Sequence, residues 1–249
     1  MSVQIYVINL DRCVSRWERI SAQAGEMGLD VVRVVAVDGA AVAPEDWIDT
    51  DPRRFLQMHG RHMLPGEYGC YRSHLLALQQ FGGGSGGDQE IAIIVEDDID
   101  LKADLITRAM AIHHAVPQAG LVKLFNHRTR GFRPRAVSTL DNAVGRCLHG
   151  PQGSAACYFV TRAAARTLLT TLGVMKLPYD IALERGWDSG VQTYTVRDNL
   201  TGLGPLYRQT AIAHVAQYRK TKTTRLKRVS THLFRARDYL CRLAYAYRM

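Results

Sequence analysis

The sequence predicts an α/β protein, an open sheet flanked by helices, and three observations carry that expectation. Short apolar runs of five to seven residues alternate with amphipathic stretches at helical spacing. The opening residues read as β-α-β, the start of an open sheet with right-handed crossovers. The most apolar run in the chain, Ile91–Val95, leads straight into Glu96, Asp97 and Asp98, where ligands of such sheets bind.

Taken in order, Val3–Ile8 reads as a buried parallel strand. Across residues 13–28, Val14, Trp17, Ile20, Ala24 and Met27 recur at spacings of three and four, a helix that Gly28 ends. Val31–Val37 gives a second strand, closed by Asp38-Gly39. Residues 40–65, with Pro44, Pro52 and Pro65, read as irregular. A helix is expected over 67–81 with Tyr71, Leu75, Leu78 and Phe81 on one face. The Gly-rich segment 82–87 reads as a flexible connection that adds little packing. A helix around 103–115, strands at Leu121–Phe125 and Ala155–Val160, and a helix at 161–172 follow.

Composition narrows the function classes. The chain of 249 residues supports one substantial domain, and no run of about 18 apolar residues is present to span a membrane. The N-terminus lacks a basic stretch, so a first strand is expected there rather than a signal peptide, and the cytoplasm is the expected compartment. Five scattered cysteines without a C-x-x-C pair suit neither a disulfide framework nor a structural zinc site. Net charge is +9, and all of it lies after His214: the last 35 residues hold ten Lys/Arg against Asp238, while residues 1–214 balance. The expected organisation is therefore a catalytic domain over 1–214 and a basic amphipathic tail over 215–249. A neutral body argues against a nucleic-acid-binding protein.

Three carboxylates at the end of a buried strand repel one another, and packing gives them nothing in return. In an extended backbone Glu96 and Asp98 face one way and Asp97 the other. Two acids on one side suit a hard divalent cation, which in turn binds phosphate oxygens. The alternative is a solvated acidic turn.

An ordered set of segments carries a family resemblance over about residues 3–200. They are Ile8-Asn9-Leu10-Asp11-Arg12 with Arg16, then Ala36-Val37-Asp38-Gly39, then Gly66-Glu67-Tyr68-Gly69-Cys70-Tyr71-Arg72-Ser73-His74-Leu75, then Val95-Glu96-Asp97-Asp98. Weaker echoes are Gly153 to Tyr158 and Leu177-Pro178-Tyr179-Asp180. The chain resembles glycosyltransferase family 25, the lipooligosaccharide galactosyltransferase family that includes collagen-modifying relatives. The resemblance implies a GT-A-like (Rossmann-like) nucleotide-sugar-binding sheet, a UDP-sugar donor, Mn²⁺ or Mg²⁺, and inversion at the anomeric carbon.

It also implies roles. Asp98 is the leading metal ligand, Glu96 and Asp97 share metal and ribose contacts, and Asp100 extends the acid run. Asn9, Asp11 and Arg16 follow the first strand, where a nucleotide would lie; Arg16 pairs with phosphate or sits on the exposed side of its helix. Asp38 accepts from a ribose hydroxyl or uracil N–H, or is a plain turn carboxylate. Ser73 and His74 belong to the best-matched stretch. Asp180 is the expected base for the acceptor hydroxyl, with Asp188 its rival, and His214 is a late candidate metal ligand. His59, His62, His113 and His114 have no convincing metal spacing.

Residues 225–247 interleave bases with Leu226, Val229, Leu233, Phe234, Leu240, Leu243 and Tyr245, roughly an amphipathic helix. Such a helix packs on the domain or lies in the headgroup plane of an anionic bilayer. The expected partners are thus a UDP-sugar, a lipid-linked or oligosaccharide acceptor, and an anionic membrane at the inner face of the inner membrane, with no nucleic acid. The competing classes are a catalytically silent membrane-peripheral scaffold and a nucleic-acid binder that uses the tail.

Overall fold

The structure, a computed structural model, describes residues 3–208 and 229–248. The elements run β1 (Gln4–Asn9), α1 (Val14–Glu26), β2 (Val31–Val35), α2 (Pro52–His59), α3 (Pro65–Gly82), β3 (Ile91–Glu96), β4 (Ile99–Asp100), α4 (Leu105–Ala115), β5 (Leu121–Lys123), β6 (Phe132–Val137), β7 (Ala143–Cys147), β8 (Cys157–Thr161), α5 (Arg162–Thr171), α6 (Tyr179–Leu183), α7 (Gly186–Ser189), β9 (Thr193–Val196), β10 (Gly202–Leu203) and α8 (Val229–Tyr247). Among the described residues, eight strands form one sheet in the order β2-β1-β3-β8-β5-β9-β7-β6, and β4 pairs with β10 in a separate ribbon.

β1 pairs in parallel with β2 and with β3, which sets the carboxyl ends of three strands side by side. β8 runs antiparallel to both β3 and β5. This is the expected α/β, GT-A-like sheet, mixed in direction beyond β3. Its central strands are buried on both faces, so their residues divide by parity. Ile93, Val95, Cys157 and Phe159 join one apolar cluster with Ile20, Ala24, Leu105 and Ile112 from α1 and α4. Ala92, Ile94, Tyr158 and Val160 join the other with Tyr71, Leu75, Leu78 and Leu168 from α3 and α5. Each fully buried aliphatic side chain in this double core contributes roughly 1.5–3 kcal/mol.

One expectation is corrected here. Residues 40–65 are not wholly irregular, because α2 lies within them. Pro52 occupies its first turn, where the missing N–H costs nothing, Asp51 accepts from the Arg54 amide, and Gly60 ends it at φ 79°. The Gly-rich segment is exposed over 83–87, as a surface connection would be, and it is tied down at its start: Arg162 donates to the carbonyls of Phe81 and Gly84, and Arg166 donates to that of Gly82. The backbone carbonyls, not side chains, give this segment its partners.

The tail helix α8 lies against the body. Thr231, Arg242, Tyr245 and Ala246 are buried, and the Tyr245 hydroxyl accepts from the Thr193 amide at 2.7 Å. Its opposite side stays open, with Val229, Leu233, Leu240 and Tyr247 56%, 68%, 65% and 56% exposed. No helix among the described residues is long and apolar enough to cross a membrane.

Candidate active site

A cleft opens at the carboxyl ends of β1, β2 and β3, and α3 forms its far wall. Arg12, Arg16, Asp38, Cys70, Ser73, His74, Glu96, Asp97 and Asp98 line it. Close backbone approach makes this wall possible. A Cβ on Gly39 would overlap the Pro65 carbonyl, and one on Gly69 would overlap that of Val37. Ser73 fastens the contact, donating to the Gly69 carbonyl at 2.6 Å and accepting from the Val37 amide at 2.8 Å. The Asp-Gly and Gly-x-x-Gly signals of the sequence thus mark where α3 abuts the end of β2.

The three acids end β3 in different ways. Glu96 is the last strand residue, while Asp97 and Asp98 form a turn, so the strict alternation expected of them fails and all three face one cleft. Asp97 is fully engaged: Asn9 donates to its Oδ2 at 2.6 Å and Arg16 to its Oδ1 at 2.9 Å. Arg16 is therefore buried beneath the cleft, not on an exposed helix face, and it also donates to the Leu206 carbonyl at 3.1 Å. Asn9, 1% exposed, accepts from Arg33 through Oδ1 and serves as the frame of the site.

Asp98 differs. Its buried Oδ1 has no hydrogen-bond partner. Burial first, then the charges of Glu96 and Asp97, push its pKa from 3.8 up to about 7, against the pull of Arg16. A buried carboxylate oxygen without a donor is costly unless a cation completes it. The donor set, two hard carboxylates at a strand end, fits Mn²⁺ or Mg²⁺. Asp100 turns away to pair with Arg19 at 2.8 Å.

On the cleft wall, His74 is 1% exposed. Its Nδ1 lies 3.2 Å from the Tyr158 hydroxyl and its Nε2 3.3 Å from Glu96 Oε1, and its ring stacks on Tyr179. Cys70 sits one turn earlier on α3. Its thiol pKa is raised well above the ordinary value, by burial first and then by Glu96, Asp180, Glu67 and Asp98. Asp38 pairs with Arg12 across the cleft and accepts from the Ala40 amide.

Asp180 is an acid in the first turn of α6, beside the cleft without lining it. Its pKa is raised, by burial first and then by Glu184, with Lys123 opposing and Glu96 adding a smaller push. Asp11 and Asp188 stand apart on the surface. Asp11 is 72% exposed and pairs with Arg33, while Asp188 is 59% exposed and pairs with Arg185. His214 lies outside the described residues. The sequence did not single out Cys70 or Arg12; the family stretch contains both, but only the fold sets them on the cleft.

Fold and site together define an α/β protein with an acidic cleft at the carboxyl ends of its parallel strands. The model of glycosyltransferase family 25, described as an LPS biosynthesis protein, matches residues 2–183, and the chain belongs to that family. The matched range holds every cleft-lining residue and Asp180, and excludes Asp188 and α8. Two family 25 members are similar over part of the chain. One, from Aedes aegypti, is 34% identical over 100 residues, covering 38% of this chain. The other, from Anopheles gambiae, is 31% identical over 113 residues, covering 43%. These matches cover only 16% and 18% of those relatives' own lengths.

Proposed function

We propose that the chain is an inverting, metal-dependent glycosyltransferase. It moves a hexose, galactose in the first instance, from a UDP-sugar to a lipopolysaccharide, lipooligosaccharide or related glycan. The observation that carries this reading is Asp98: a buried carboxylate oxygen without a donor, beside Glu96, at the mouth of β3. Asp98 and Glu96 would hold Mn²⁺ or Mg²⁺, which when bound supplies Lewis-acid stabilisation of the departing diphosphate. Asp97, held by Asn9 and Arg16, ties the end of β3 to β1 and α1. Asp38 accepts from the ribose or uracil. Asp180 takes the proton of the acceptor hydroxyl, and a carboxylate whose pKa is raised by burial is the better base for it.

For the acceptor side, the same proposal has the enzyme work on an anionic surface at the cytoplasmic face of the inner membrane. The support is α8, whose outward stripe of Val229, Leu233, Leu240 and Tyr247 is apolar while Arg237 and Arg248 are exposed beside it. A nucleic-acid surface has no use for such a stripe.

Calorimetry of UDP with and without Mn²⁺ tests the central point. Binding is expected with the cation and at least tenfold weaker in EDTA. Equal affinity in both removes the metal from the mechanism.

A further inference from the structure

Cys70 and His74 lie one helical turn apart on α3, so their side chains share one face. Glu96 arrives opposite them from β3. The ligand atoms of these three residues, Sγ, a ring nitrogen and a carboxylate oxygen, all lie within 4.8 Å of one another. Tetrahedral bonds of about 2.0–2.3 Å place donors roughly 3.3–3.8 Å apart. The pair His74 Nε2 and Glu96 Oε1, at 3.3 Å, already has that spacing. Closing the thiol onto it needs a movement of no more than about 1.5 Å.

The histidine is prepared for the task. The Tyr158 hydroxyl engages Nδ1, the Tyr179 hydroxyl backs Tyr158 at 3.0 Å, and Tyr179 stacks on the ring at 4.2 Å. An outer partner on one nitrogen fixes the ring and directs the other nitrogen at a ligand position. Thiol, imidazole and carboxylate form a softer donor set than the paired acids of Asp98 and Glu96, and they prefer Zn²⁺ or Co²⁺ to Mg²⁺ or Mn²⁺.

We propose that Cys70, His74 and Glu96 form a second, thiophilic metal site on the cleft wall, one that takes a Zn²⁺-class ion. Binding deprotonates the thiol: the S–H bond breaks, the sulfur lone pair goes to the metal, and the proton leaves to buffer. No oxidation occurs. Glu96 belongs to both sites, so an ion held here withdraws it from Asp98 and weakens donor binding. The site stands on the three side chains alone; only this competition rests on the glycosyl-transfer reading.

Cobalt titration of the full, metal-free chain tests the site. One equivalent of Co²⁺ is expected to give a thiolate-to-cobalt charge-transfer band in the near ultraviolet, and Zn²⁺ should abolish it. Cys70→Ser should remove the band and weaken Co²⁺ binding by more than about 10–100-fold, the range for losing a mere outer-shell partner. Cobalt bound without that band, or a band that survives in Cys70→Ser, overturns the proposal. Should the variant fail to fold, alkylation of the wild-type chain decides: Zn²⁺ but not Mg²⁺ should shield Cys70, and equal labelling in both overturns the site. A UDP titration with Mn²⁺, repeated in Zn²⁺, is read separately. Undiminished UDP affinity refutes the competition, whereas UDP that never binds counts against the transferase reading and leaves the cobalt band untouched.

Discussion

Two clusters of buried charge lie on neighbouring parts of the fold, and they are treated in opposite ways. At the end of β3, Glu96, Asp97 and Asp98 crowd together, and Asp98 keeps a buried oxygen without a partner. Beneath α8, Glu184 is 3% exposed yet complete. Arg242 pairs with it at 2.8 Å, Lys123 lies 3.6 Å away, and the amides of Gln152 and Gly153 donate to it. Around Glu184 cations and donors compensate the carboxylate, and the result is a clamp that joins α8, β5 and the loop ahead of β8. Around Asp98 one buried oxygen is left without a donor, and the metal-binding role proposed for it rests on that difference. The degree of satisfaction, more than burial itself, separates structural from functional charge.

The comparison breaks most severely at Glu184. Glu184→Gln leaves Lys123 and Arg242 buried without their counterion, and a loss of about 3–5 kcal/mol is expected on chemical denaturation. A loss under about 1 kcal/mol would mean that the clamp is replaceable packing. Asp98→Asn should do the reverse, leaving the fold as stable as before or more so. Turnover should fall by about 10²–10³-fold, the usual cost of losing one transition-state stabiliser. A folded variant with near wild-type turnover removes Asp98 from the site.

Asp180, which feels both clusters, sharpens the contrast. Asp180→Asn should lower turnover by about 10²–10⁴-fold with UDP affinity kept. Collapse of both together would place Asp180 at the donor and remove it as the base.

The acid cluster should also be visible without substrate. Unfolded Asp98 loses its proton near 3.8, whereas in the fold it holds it to about 7. Between those values the native state binds the extra proton, so this group's contribution makes stability fall as pH rises from about 4 to 7, then level off. The effect is at most a few kcal/mol. It should be absent from Asp98→Asn, so the difference in thermal midpoint between wild type and variant should change across that range, and Mn²⁺ should restore stability at the upper end. A constant difference across the range would show that Asp98 is not held protonated.

The smallest effect is expected on the open side of α8. Leu233→Glu with Leu240→Glu should shift stability by no more than about 0.5 kcal/mol per site, yet release the chain from anionic vesicles. Retention on the vesicles would assign binding to charge elsewhere in the tail.

Much of this was legible in the order of residues. Strand and helix periods gave β1, α1, β2, α3, β3 and α5 nearly to the residue, because such patterns follow from the one face or two that each element buries. The short β6, β7 and β9 strands escaped notice, since β6 is an edge strand interrupted by Pro134, and β7 and β9 are only 5 and 4 residues long. α2 hid behind a proline that in fact starts it. Asn9 and Arg16 were legible as site residues, but not as the frame that holds Asp97.

The sequence alone determined that an acidic triple follows a buried strand, that α3 carries Cys70, Ser73 and His74 on adjoining turns, and that the tail holds the net charge. These are local facts, fixed by neighbours a few residues apart. Only the tertiary structure decided which acid stays unsatisfied, that Glu96 meets Cys70 and His74, and that Arg242 of the basic tail turns inward to Glu184. The reason is physical. Whether a buried charge is satisfied depends on donors brought from distant parts of the chain, and periodicity carries no information about them.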